Sequence, residues 1–135
     1  MTSFPLKIVT ADGLIFDGNA EKVIVRTVTG DMAVLARHIN CVCPLGMGQA
    51  VIESDGQRRT AACIGGMINV IDGAVMLVPT TFEWAEDIDL GRAQDAEKRA
   101  REELAASDKL SARELCIAEA KMKRALIRQN VHKGN

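Results

Sequence analysis

The chain has 135 residues, of which 47% are hydrophobic, 26% charged and 3% aromatic, and its formal net charge at pH 7 is -1. This composition is close to the globular average and excludes a largely disordered chain. The longest uncharged apolar runs have about six residues, against the roughly 20 that a membrane-spanning helix needs, so no such helix is expected. No basic segment followed by an apolar one opens the chain, so no secretory signal is expected either.

Turn signals alternate with β-branched segments through the first part of the chain. Glycine accepts a positive φ and a neighbouring aspartate or asparagine bonds its own backbone, which favours turns. The predicted turns are Asp12-Gly13, Asp17-Gly18-Asn19, Thr29-Gly30-Asp31, Asp55-Gly56 and Asp72-Gly73. The predicted strands are Leu6 to Thr10, Lys22 to Val28, Ala50 to Glu53 and Ala74 to Val78, with a further strand-like run from Met67 to Val70. Short strands at this spacing predict an antiparallel β-sandwich over residues 1–86.

The composition changes near residue 87. Nine of the eleven glycines and all three prolines lie before residue 88. Up to residue 87 there are 6 basic and 10 acidic residues, and from residue 88 onward there are 11 basic and 8 acidic residues. This change predicts two structural units, the second over residues 87–135.

The second unit has the periodicity of two short helices. Asp87 or Asp89 is placed to cap the first helix, and Ser111 with Glu114 forms a capping box for the second. Residues 107–109 interrupt the pattern between them. The apolar stripes are Leu90, Ala93, Ala96, Ala100 and Leu104, then Leu115, Ala118, Met122, Ala125 and Leu126. A short connection predicts an antiparallel α-helical hairpin with a thin, alanine-lined core.

No catalytic or metal-binding motif is present. The sequence has no phosphate loop of the G-x-x-x-x-G-K type, no H-E-x-x-H and no G-x-S-x-G, which argues against an ordinary enzyme. The double glycine at residues 65–66 precedes a strand-like run and predicts a tight turn or bulge. The cysteines are Cys41, Cys43, Cys63 and Cys116, and their spacing predicts free thiols with no metal site.

Arginines on both helices of the hairpin suggest a cationic slot. Arg92 and Arg99 share one helix face, as do Arg124 and Arg128. If the chain reverses near residue 109, position i lies opposite about 218 minus i, so Arg92 falls between Arg124 and Arg128 while Arg99 falls near Lys121. Such a slot suits a polyphosphate or an acidic protein surface. The alternative is a solvated basic face that nearby carboxylates partly neutralise; these are Asp89, Asp95, Glu102 and Glu103.

Three stretches of the chain resemble the epsilon subunit family of the rotary F-type ATP synthase. They are Thr29 to His38, which ends in a histidine, Ile64 to Val70, which has a double glycine, and Glu83 to Ala93, which contains an I/L-D-x-x-R-A motif. The resemblance implies a β-sandwich followed by two antiparallel helices. It also implies a non-catalytic central-stalk subunit that couples rotation of the c ring to the catalytic head.

The resemblance further implies partners and a location. The partners are the gamma subunit and the c ring, and also the beta subunit when the hairpin is extended and blocks ATP hydrolysis. The implied place is the cytoplasmic face of the bacterial plasma membrane, with membrane association only through the complex. No cofactor is required, and ATP is a regulatory ligand that binds the folded hairpin in some members of the family.

The resemblance assigns site residues by position. Those matching the family's nucleotide motif and its flanks are Glu83, Ile88, Asp89, Arg92, Ala93, Arg99, Arg124 and Arg128. Asp31 and His38 match the sandwich rim that meets the rotor. The chain departs from the family at Asn40, where a proline is usual, and Gly91 lowers helix stability within the motif by roughly 1 kcal/mol relative to alanine.

Other functions stay open at this point. A free-standing ATP-binding regulatory module would have the same hairpin but no rotor partner. A nucleic-acid adaptor would use the seven basic residues after position 108, but the acidic sandwich and scarce aromatic residues argue against it. An enzyme would need a catalytic pair that the sequence does not supply.

Overall fold

The computed structural model describes residues 2–134, apart from the side chain of Ser107. Its backbone divides into two units, and the boundary lies between Trp84 and Ala85. The described residues of the first unit form strands and turns, and those of the second form helices. The predicted fold class, a β-sandwich followed by a helical hairpin, is confirmed.

Ten strands build the first unit. They are β1 (Phe4–Thr10), β2 (Gly13–Ala20), β3 (Lys22–Thr27), β4 (Gly30–Leu35), β5 (Cys41–Pro44), β6 (Met47–Ser54), β7 (Gln57–Ile64), β8 (Met67–Ile71), β9 (Ala74–Val78) and β10 (Thr81–Trp84). They form two five-stranded sheets with the orders β2-β1-β9-β8-β5 and β10-β7-β6-β3-β4. Neighbouring strands are antiparallel, except that β1 and β9 are parallel.

Four of the five predicted turns join strands, but the turn predicted at residues 17–19 is wrong. Asp17, Gly18 and Asn19 lie inside β2, where they pair with Lys7, Leu6 and Pro5 of β1. The hydrogen-bonded ladder to β1 therefore outweighs the local turn preference of these residues. The chain bends instead at Glu21, between β2 and β3.

One hydrophobic core lies between the two sheets. In β3, Val23, Val25 and Thr27 are buried while Arg26 is exposed, which is the alternation that pleating requires. The largest fully buried side chains of this core include Leu6, Ile8, Ile52, Ile68 and Leu77. Complete burial of such a side chain contributes about 1.5–3 kcal/mol, so this core stabilises the packing of the two sheets.

The double glycine joins β7 to β8, as the predicted tight turn requires. Gly65 and Gly66 have φ angles of 68° and 91°, in the left-handed region that favours glycine. A Cβ on Gly66 would overlap the carbonyl oxygen of Val78. Both the conformation and the close approach of β9 therefore require glycine here.

The second unit opens with a one-turn 3-10 helix, Ala85–Asp87, followed by helix α1 (Leu90–Ala105). A second 3-10 turn, Ser107–Lys109, leads to helix α2 (Ala112–Lys133). Small residues are buried on both helices: Ala93, Ala100, Ala118 and Ala125. Within residues 2–134, no helix is long and apolar enough to cross a membrane.

The predicted helix caps are present. Asp89 is the N-cap of α1, and its carboxylate accepts a hydrogen bond from the Arg92 backbone N–H at 3.0 Å. Ser111 caps α2, because its Oγ accepts from the Glu114 backbone N–H at 3.1 Å. The Ser111 hydroxyl also lies 3.0 Å from Glu114 Oε1 and donates to it. Both caps satisfy N–H groups that a helix cannot pair internally.

Candidate functional site

An open hollow of about 340 Å³ lies between α1 and α2. We call it the interhelical hollow. It is lined by Ala96, Arg99, Ala100 and Glu103 of α1 and by Lys121, Arg124 and Arg128 of α2. Four cations and one carboxylate line it, so its net charge is +3. A concave surface with this charge favours an anionic ligand.

Helical spacing brings these side chains to one place. On α2, Lys121, Arg124 and Arg128 are three and four residues apart, so they share one helix face. On α1, Ala96 and Ala100 leave the floor of the hollow open because their side chains are short. The long cationic side chains therefore surround a space that larger α1 residues would fill.

Two contacts between the helices fix their register. Lys121 Nζ lies 3.7 Å from Glu103 Oε1, and Gln129 Nε2 donates to Glu97 Oε1 at 3.0 Å. Position i of α1 therefore lies opposite about 225 minus i on α2, and the helices are antiparallel as predicted.

The predicted register of 218 minus i is wrong by about seven residues. One cause is that residues 107–109 form a further helical turn, so the chain reverses later than expected. The other is that side chains lean towards the N-terminal end of their own helix, which shifts contacts between antiparallel helices in the same direction. Arg99, and not Arg92, consequently faces the space between Arg124 and Arg128.

The cations of the hollow are only partly neutralised. Glu103 pairs with Lys121, and both side chains are nearly half-exposed, at 44% and 48%. Within residues 2–134, Arg99 and Arg124 make no hydrogen bond or ion pair. Arg124 and Arg128 are four residues apart, a like-charge spacing that disfavours a helix by roughly 0.2–0.5 kcal/mol. The hollow therefore concentrates positive charge at some cost to the hairpin.

Glu97 links α1 to α2 through its carboxylate. Hydrogen bonds from Arg101 and then Gln129 hold the pKa of the Glu97 carboxyl below its usual range, against a weaker opposing effect of burial. Arg101 Nε lies 3.0 Å from Glu97 Oε2, and Gln129 is buried. The carboxylate thus ties a buried α2 amide to α1, and sequence reasoning missed this contact because the two residues are 32 positions apart.

The remaining motif residues lie at the start of α1. Arg92 is exposed and is not among the residues that line the interhelical hollow. Ile88 and Ala93 are buried, at 5% and 4% exposure, and Asp89 serves as the helix cap. Of the predicted nucleotide contacts in the second unit, the structure therefore groups Arg99, Arg124 and Arg128. Arg92 and Ala93 lie about two helical turns before Arg99, and Ile88 and Asp89 lie ahead of the first residue of α1.

Glu83 belongs to the first unit. It lies in β10, paired with Ala62 of β7, and its side chain is half-buried. Close to it in the chain, Phe82 and Trp84 pack edge to face with ring centroids 4.9 Å apart. The Arg59 guanidinium lies 3.6 Å from the centre of the Trp84 ring. This cation–π contact was not predicted, since nothing in the sequence pairs β7 with β10.

The two predicted rotor residues lie at opposite ends of β4. Asp31 is exposed near its start and pairs with Arg26 of β3 at 3.2 Å. His38 follows its end, and the ring Nδ1 lies 2.8 Å from the Ile39 carbonyl oxygen. Four residues of strand, roughly 13 Å, separate Asp31 from Leu35 at the end of β4.

Asn40 has a structural use in the loop after β4. Its Oδ1 accepts from the Asp72 backbone N–H at 2.8 Å, and its Nδ2 lies 3.4 Å from Asp72 Oδ1. These bonds join the loop to the turn between β8 and β9. Asn40 therefore fixes the loop through its side chain.

Comparison with known proteins gives consistent matches. The model of the ATP synthase delta/epsilon chain β-sandwich domain matches residues 3–85. The ATP synthase epsilon chain of Caldanaerobacter subterraneus subsp. tengcongensis is 37% identical over 130 residues, which cover 96% of this chain and 93% of the relative.

Two solved structures share the fold. A chain of the Euglena gracilis mitochondrial ATP synthase, from an assembly of OSCP, F1 and c-ring, superposes with a TM-score of 0.72 at 23% identity and covers 98% of this chain and 79% of that one. A chain of the Tetrahymena thermophila mitochondrial ATP synthase, from its central stalk and c-ring, gives 0.68 at 12% identity and covers 95% of each.

Proposed function

The chain belongs to the ATP synthase epsilon-chain family, and we propose that it is a non-catalytic subunit of the central stalk of an F-type ATP synthase. The observation that carries this proposal is the 37% identity to an epsilon chain over 96% of the chain. The two structures with the same fold come from mitochondrial ATP synthase assemblies that include a c-ring. In this role the chain couples ion-driven rotation of the c ring to ATP synthesis.

The proposed rotor partners are the gamma subunit and the c ring, with Asp31 and His38 as contacts. The complex lies on the cytoplasmic face of the bacterial plasma membrane, and this chain reaches the membrane only through it. Co-purification of the full chain with its gamma subunit tests the assignment. Asp31→Asn should weaken co-purification, while Asp12→Asn should not, because Asp12 is an exposed aspartate in the turn between β1 and β2. Failure of the unaltered chain to bind gamma would favour the alternative, a free-standing ATP-binding regulatory module.

We further propose that the hairpin binds the phosphates of ATP in the interhelical hollow. Support comes from its net charge of +3 and from Arg99 and Arg124, whose guanidinium groups suit bidentate contacts with phosphate oxygens. Arg92, Asp89, Ile88 and Ala93 stay predicted contacts to the rest of the nucleotide, as does Glu83.

Regulation follows from the two conformations that the family resemblance implies for the hairpin. ATP shifts the balance towards the folded hairpin only by its higher affinity for that state. In the extended state, the basic second helix would meet an acidic segment of the beta subunit and block ATP hydrolysis. That contact should weaken with salt, because exposed charges are screened within about 10 Å at 0.1 M ionic strength.

Calorimetric titration of the full chain with MgATP tests the nucleotide site. Arg99→Gln and Arg92→Gln should each weaken binding, and their comparison shows which end of α1 holds the phosphates. Lys123→Gln is the matched control, since Lys123 is exposed on α2 and does not line the hollow. Equal affinity in Arg99→Gln and Lys123→Gln would remove the hollow as the phosphate site, without affecting the rotor assignment.

A further inference from the structure

Two cysteines share one face of an edge strand in the sandwich. Cys41 and Cys43 are alternate residues of β5, so both side chains point to the same side of the sheet. Both are half-buried and pack against the hydrophobic core, while Val42 between them is exposed. β5 is an edge strand of its sheet and pairs with β8, and the Pro44 carbonyl at its end also accepts a hydrogen bond from the Val28 N–H. Because neither cysteine is fully buried, a small ion can reach the two thiols.

The two thiols interact with each other. Burial raises the pKa of the Cys41 thiol, and the adjacent Cys43 raises it further through charge repulsion and a hydrogen bond. Cys63 and Cys116 lie elsewhere, one buried in β7 and one exposed on α2. The chain therefore holds one thiol pair and two separate thiols.

The strand geometry disfavours a disulfide between Cys41 and Cys43. Alternate residues of an extended strand have Cα atoms about 6.6 Å apart, and their parallel side chains keep the Cβ atoms at a similar spacing. A disulfide requires Cβ atoms about 3.5–4.5 Å apart. Closing one would bend β5 and break its pairing with β8. A metal ion adds two metal–sulfur bonds between the sulfurs and spans the gap with the strand intact.

We propose that Cys41 and Cys43 form a two-thiolate site for a soft monovalent cation, Cu(I). Thiolates prefer soft ions, and Cu(I) accepts two sulfur ligands in a nearly linear arrangement. Zinc needs four ligands, and within residues 2–134 no group of three or more His, Cys, Asp or Glu side chains is placed to hold a metal.

Binding involves no change of oxidation state. Each thiol loses its proton, two copper–sulfur bonds form, and two protons pass to solvent.

Anaerobic titration of the full chain with Cu(I) against a chromogenic chelator tests the site. We expect one ion per chain, and at least a hundredfold weaker binding in Cys41→Ser and in Cys43→Ser. Cys116→Ser is the matched control and should bind as the unaltered chain does. Far-UV circular dichroism of each variant separates loss of a ligand from loss of the fold.

Two results would overturn the proposal. One is undiminished Cu(I) binding in the folded Cys41→Ser/Cys43→Ser double variant, which would place the ion elsewhere. The other is a Cys41–Cys43 disulfide in the isolated chain, seen as a mass about 2 Da lower and as two thiols that resist alkylation. The second result would mean that β5 bends readily enough to close the pair.

Discussion

Replacing Arg124 with glutamine should change hairpin stability and ATP affinity in opposite directions. The substitution removes one like-charge pair with Arg128, which should stabilise α2 by roughly 0.2–0.5 kcal/mol at low salt. It also removes a charge-assisted hydrogen bond to phosphate, worth about 1.5–3 kcal/mol. Because Arg124 is only half-buried, we take the lower value, which corresponds to about tenfold weaker ATP binding.

The assay combines thermal unfolding, followed by circular dichroism at 222 nm, with MgATP calorimetry. Lys123→Gln is the control, because it removes the same charge one residue away. Lys123 follows Glu119 by four residues, a spacing at which opposite charges stabilise a helix. This substitution should lower the melting temperature slightly and leave ATP affinity unchanged. An Arg124→Gln protein that melts earlier and binds ATP normally would refute the reasoning, because Arg124 would then be a packing residue.

Three further predictions concern stability. Ser111→Ala should lower the free energy of unfolding of the hairpin by about 1 kcal/mol in urea, because it leaves the Glu114 N–H without its cap at 3.1 Å. Burial raises the pKa of the Cys63 thiol to about 12, so the folded chain holds the thiol proton more tightly than the unfolded chain does. The contribution of this thiol to the free energy of unfolding is complete below the unfolded pKa near 8.5 and is lost as pH rises towards 12. Urea unfolding at pH 8 and 11 should show a larger loss in the unaltered chain than in Cys63→Ala, which keeps only the smaller contribution of Cys41. Gly66→Ala should cost about 2–4 kcal/mol, through its positive φ and the clash with Val78, and sandwich melting measures it.

Local patterns predicted the strands in which apolar and β-branched residues dominate. The strands around Ile8, Val25 and Val75 were found for this reason. β7 was missed because it starts with the polar run Gln57 to Arg59, and its identity depends on pairing with β6 and β10. The glycine and aspartate of β2 indicated a turn, and only the ladder with β1 makes them a strand. Such pairing with a neighbouring strand is not visible in the residues of one strand alone.

The candidate site shows the same division between local and long-range information. The 3.6-residue period placed Arg124 and Arg128 on one face, and the structure has them lining one hollow. Which α1 residue faces Arg124 and Arg128 depends on where the chain reverses between the helices. The observed register differs from the predicted one by two helical turns, so Arg99 and not Arg92 faces them. The bonds between Asn40 and Asp72 likewise join residues 32 apart, beyond any sequence pattern.

Restoration of ion pumping tests the central claim most directly. Membrane vesicles bearing the F-type ATP synthase of the same cells, depleted of their own epsilon chain, are supplied with the purified full chain. We predict that the chain binds and restores ATP-driven ion pumping, while the chain alone hydrolyses no ATP. A chain that neither binds the depleted complex nor changes its pumping would contradict the account of a central-stalk subunit.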